Sequence, residues 1–121
     1  MRRLLDFQRR FRIWHYSVSY SRLLLRSLNI HEYETRIDVL FTNVELMHVP
    51  STWDTLVVDE QDRAGADSVI GPGVVLASRP NHHVFVLNGG PYYVFATHCD
   101  WHEDEGDSRS PSKFGPMWGI E

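Results

Sequence analysis

The chain has 121 residues and a single cysteine, Cys99, so no internal disulfide can form, and such sparing use of cysteine suits a reducing compartment. Long apolar runs are missing too. The opening Met1-Arg2-Arg3-Leu4-Leu5 has the charged head of an export signal, but the apolar stretch of about 7–15 residues that should follow is absent, and nothing approaches the ~20 residues of a spanning helix. A cytoplasmic protein with no membrane segment is the expectation. Several catalytic signatures are also lacking: there is no G-x-S-x-G elbow, no G-x-x-x-x-G-K loop and no G-x-G-x-x-G. His31-Glu32 leads to Thr35 where H-E-x-x-H needs a second histidine. Hydrolase, nucleotide-binding and zinc-protease readings therefore lose their usual support. No internal repeat occurs, and no 3.6-residue apolar period persists beyond two turns, which argues against a helical fold.

What is present is ordinary for a globular domain: 42% hydrophobic, 23% charged and 12% aromatic residues. A chain of this length makes one domain and buries roughly two-thirds of its unfolded surface. The net charge of −4 is unevenly spread, because residues 1–36 carry eight arginines against three acids. These arginines are read as solvated edges of early strands, or as partners of the acidic remainder, and nucleic acid is not an expected partner: the whole chain is acidic and no recognition motif accompanies the basic stretch.

The clearest local structure is residues 84–97, where two β-branched and aromatic runs flank Asn88-Gly89-Gly90-Pro91. This is a β-hairpin with Pro91 at the mouth of its second strand, and that strand is read as continuing through residues 98–102. Residues 11–20 alternate, with Arg12, Trp14, Tyr16, Val18 and Tyr20 assigned to the core face. Residues 23–25 and 55–59 read as strands, and residues 36–49 as one bent strand or two, broken by a bulge near Thr42-Asn43. Residues 2–10 fit either a short helix or an arm leading into a strand. Residues 69–70 and 74–77 flank Gly71-Pro72-Gly73, and residues 105–121 read as a polar segment and tail that orders only if Phe114 and Trp118 find a groove. The predicted fold is all-β, an antiparallel β-sandwich or partly open barrel of about seven to nine short strands with at most one short helix. One domain, 1–104, precedes the tail at 105–121.

Chemistry-bearing residues concentrate in one place. On an extended strand His98, Asp100 and His102 project from one face together with Asp104, and two imidazoles with a carboxylate suit a divalent transition metal if another segment, such as His83, converges on them. His82-His83, an apolar stretch and Gly89-Gly90 resemble the first metal motif of the cupin barrels, a resemblance that implies a metal-binding barrel. It departs from that motif in having no His-x-His pair, and Leu87 stands where a glutamate belongs. Cys99 faces away from His98 and reads as a buried, inert thiol. His15 and His48 read as partly buried, hydrogen-bonded histidines. Trp14, Tyr16, Tyr20 and Trp53 are candidates for an aromatic ligand pocket. Three functions follow: a binding domain that takes a protein partner or a second copy, as the leading expectation; a metal-binding protein or metal-dependent enzyme using His98, Asp100 and His102; and a small-ligand-binding barrel. No cofactor is firmly implied.

Overall fold

Alternating short runs punctuated by Gly, Pro and Asn become ten strands in the computed structural model, which describes residues 1–28, 34–62, 65–66, 80–106 and 112–114. They are β1 (Arg2–Phe7), β2 (Phe11–Ser17), β3 (Arg22–Ser27), β4 (Arg36–Thr42), β5 (Leu46–His48), β6 (Thr52–Trp53), β7 (Leu56–Gln61), β8 (His83–Leu87), β9 (Tyr92–Ala96) and β10 (His98–Asp104). All pair antiparallel, in two five-stranded sheets ordered β1-β7-β8-β9-β5 and β10-β4-β3-β2-β6 that do not close into a barrel. The architecture is that of a β-sandwich. The extra strands come from short pieces, β5 and β6, and from residues 2–7, which the sequence left between helix and arm and which pair with β7.

Four of the five chain crossings between the sheets among the described residues form two bent two-stranded ribbons. β4 and β5 run beside β10 and β9, and three residues separate the pairs Thr42↔His98 and Leu46↔Phe95 on one strand against two on the other. The extra residue sits where a bulge was expected, with Asn43 at φ 56°, the left-handed region that asparagine tolerates. Thr97 turns the opposite strand: its amide and hydroxyl both donate to the Thr42 carbonyl, at 2.9 and 3.0 Å. β1 and β2 beside β7 and β6 repeat the device, again with three residues against two between Phe7↔Leu56 and Phe11↔Trp53. The β8–β9 hairpin turns through Asn88, Gly89 and Gly90 at φ 52°, 77° and 91°. The Asn88 side chain accepts from the Val57 amide and donates to the Thr55 carbonyl, bracing the turn against the start of β7.

Between the sheets lies one apolar core, in which Leu5, Val58, Phe85 and Val94 from the first sheet meet Phe11, Leu25, Val39 and Phe41 from the second. Two smaller clusters cover outer faces: Val84, Val86, Tyr93, Phe95 and Ala66 on the first sheet, and Leu24 and Leu40 with Trp14 and Phe114 on the second. The core face predicted for residues 11–20 is corrected here. Tyr16 packs on the core as predicted, but so do Phe11 and Ile13, and Trp14 points outward: the register of β2 against β3 slips between Ile13 and His15, and this bulge brings Tyr16 onto the face that Phe11 and Ile13 began. Phe114 does find a groove, whereas Trp118, residues 69–79 and His31 lie outside the described residues.

Candidate functional site

Residue chemistry gathers on β10, an outermost strand of the second sheet. Its seven residues pair with β4 without a register shift, from His98↔Thr42 to Asp104↔Arg36. Paired residues share a face of a sheet, so Cys99, Trp101 and Glu103, opposite Phe41, Val39 and Ile37, lie on the core side. His98, Asp100, His102 and Asp104 lie on the outer side, opposite Thr42, Leu40, Asp38 and Arg36. Among the described residues no strand lies against the other edge of β10.

Opposite charges stand side by side in two rows beside β10. Arg26 and Asp38 form a two-point pair, Nε to Oδ1 at 2.6 Å and Nη2 to Oδ2 at 3.0 Å, with side chains 3% and 2% exposed. The Trp14 ring lies 4.9 Å from the Arg26 guanidinium carbon. The next residue in that row is His102. In the neighbouring row the Arg36 guanidinium donates to both Asp104 oxygens at 3.0 and 2.9 Å, and the Gly106 amide adds a bond at 2.9 Å. The Arg36 hydrogen bond, assisted by that amide and by the charges of Arg36 and His102, holds the Asp104 carboxyl below the usual carboxylate range against the opposing effect of burial. His102 Nε2 stands 3.8 Å from Asp104 Oδ2, His98 Nδ1 stands 2.9 Å from the Thr97 hydroxyl, and Asp100 is exposed.

On the core side Cys99 packs against the inter-sheet cluster. Burial, reinforced by the charges of Asp100 and Glu60, pushes its thiol pKa up, which suppresses the thiolate a nucleophile needs. Trp101 is different. It remains 48% exposed, with one edge against Phe7 of β1, ring centroids 5.1 Å apart and planes at 75°.

His98, Asp100 and His102 thus share the face predicted for them, while His83 belongs to β8 of the other sheet and stands 3.5 Å from Glu60. Among the described residues no three His, Cys, Asp or Glu side chains are grouped to hold one metal ion. The proposed aromatic pocket residues are dispersed: Trp14 lies outside the second sheet, Tyr16 lies against the core, Tyr20 is 52% exposed in the turn after β2, and Trp53 is 4% exposed inside. His48 is exposed beside the rings of Tyr92 and Tyr93, against the partial burial expected of it, whereas His15 is partly buried as expected, its buried Nε2 having no hydrogen-bond partner among the described residues. Three further early arginines pair with acids, while Arg9 donates to Ser27 and Thr35. Arg2 meets Glu60, Arg3 meets Asp59, and Arg10 meets Asp54.

Sequence reasoning found the chemistry of β10 but read it as a ligand set, missing that the strand is an edge and that Trp101 is largely uncovered. The signal was present in the strict alternation of His and Asp at 98, 100, 102 and 104. Compared with known protein families, with curated proteins and with solved structures, the chain matches none of them.

Proposed function

We propose that the protein is a binding domain whose working surface is the open edge of β10, and that it takes a protein partner by adding that partner's strand to the second sheet. Support comes from a comparison of the four sheet edges. Sheets blunt their edges with very short strands, bulges or charge. β5 and β6 have three and two residues, and β1 slips register between Arg3 and Leu5. β10 has seven residues in unbroken register with a half-exposed tryptophan at its centre. An extended partner at such an edge gains main-chain hydrogen bonds, and its alternate side chains are read by the faces it extends. Aromatic anchors contribute strongly to interfaces of this kind.

The test is a photoreactive residue placed at Trp101 in the cell that makes the protein, with the same residue at the exposed Leu46 of β5 as control. Discrete covalent adducts from position 101, absent from position 46, are expected. An adduct pattern identical at the two positions removes the reading.

A further inference from the structure

We infer that the occupant of the β10 edge is a second copy of β10, antiparallel, with the two-fold axis at Trp101. This rests on the reading of that edge as a strand acceptor and adds the partner and the register.

The strand is complementary to its own reverse. A two-fold axis normal to the sheet keeps outer side chains on the outer face, so each residue pairs with one of the same parity. Centring on Trp101 places His98 opposite Asp104 of the second copy and Asp100 opposite its His102, and the other two outer pairs follow by symmetry. Every imidazole then faces a carboxylate. All seven residues of β10 are engaged, and the two exposed Trp101 rings meet at the centre. Moving the axis by one residue sets Asp100 against Asp100, or His102 against His102, and like charges directly opposite are destabilising. Moving it by two leaves only a three-residue overlap within the strands.

The part of the sheet next to β10 follows the same rule, although further in Arg12 stands opposite Arg26. From Arg26 to Asp38 to His102 the sign alternates along one row, and Asp100 of the second copy continues it. In the next row Arg36 and Asp104 are followed by His98 of the second copy. His98 holds the Thr97 hydroxyl through Nδ1, which leaves Nε2 for the incoming carboxylate. Asp100 is exposed, and its counterpart is His102, 32% exposed.

The experiment is sedimentation of the purified full chain over a concentration series, with His102→Asp and Asp100→Lys made separately and then mixed. Wild type is expected to dimerise. In His102→Asp each outer inner-pair becomes Asp against Asp, and in Asp100→Lys it becomes Lys against His, so each variant alone dimerises about tenfold more weakly. The equimolar mixture restores both opposite-charge pairs and recovers a heterodimer near wild-type affinity, which also shows that both variants are folded. If His102→Asp fails to fold, Asp100→Lys, at an exposed position, still reads the loss. A wild-type monomer at roughly 500 μM, a concentration at which even a Kd of ~1 mM leaves substantial dimer, overturns the inference. So does a dimer that neither substitution weakens, or one that the mixture does not restore. Should the wild type be monomeric while position 101 crosslinks to a different chain, the strand-accepting edge stands and its self-pairing falls; if neither occurs, both fall.

Discussion

Asp104 closes the outer face of β10 by accepting two hydrogen bonds from Arg36 and one from the Gly106 amide. Its carboxyl is held below the ordinary value, which in an unfolded chain is about 3.9. A group whose folded pKa is depressed stabilises the fold above the unfolded pKa, and that contribution disappears as pH falls through the folded value. Thermal stability of the wild type is therefore expected to fall on acidification below about pH 4, and Asp104→Asn to be less stable near neutrality but to lose less on acidification. Melting curves from pH 7 to pH 2 decide it: equal acid slopes for the two chains would show that Asp104 is not the group responsible. Gly106 is required beside this pair, since a Cβ there would lie 2.6 Å from Arg36 Nη2, closer than real Cβ atoms approach. None of this was legible from spacing alone, because residues 36 and 104 meet only through strand pairing.

At the scale of the element, the four outward-facing residues of β4, Arg36, Asp38, Leu40 and Thr42, show how one strand serves two environments. Ile37, Val39 and Phe41 enter the core, while Asp38 on the other side is 2% exposed against Arg26. A buried ion pair adds little over an apolar pair, but removing one partner leaves the other charge desolvated. Asp38→Asn is accordingly expected to destabilise the fold by roughly 3–5 kcal/mol, measured by urea unfolding, and a loss below about 1 kcal/mol would place the pair in the class of weak surface bridges. Short runs rich in β-branched and aromatic residues and bounded by turn residues were sufficient to locate β4, β7, β8 and β9, since such runs have few other conformations available. No single period fits β2, because a bulge between Ile13 and His15 shifts the phase: extending the core face of Tyr16 back along the strand put Trp14 inside, and a bulge in a strand rich in residues of both kinds leaves no mark in the pattern.

For the molecule as a whole, the chain after β10 returns to the second sheet. Phe114 packs on Leu24 and Leu40, and the Arg22 guanidinium donates to its carbonyl at 3.2 Å. Phe114→Ala removes this cover from an otherwise exposed apolar patch and is expected to cost about 1–2 kcal/mol, the scale of a partly buried aromatic side chain. Faster hydrogen exchange in β3 and β4 should accompany it, and unchanged exchange there would show that the segment is not needed to protect the sheet. The residues that Phe114 covers lie on β3 and β4, and β4 is the neighbour of β10.

Local chemistry along the chain was enough to specify extended structure, the Asn-Gly-Gly turn, the break at Thr42-Asn43 and the absence of a spanning helix among the described residues. These depend on backbone preference and on the period of apolar residues, which are properties of neighbours in sequence. Which strands became edges among the described residues, and that β9 passes into β10 by changing sheets at Thr97, were settled only by pairing between distant segments. Strand order is a choice among long-range hydrogen-bonded partners of similar local energy, and burial of the shared core between two whole sheets is what selects one.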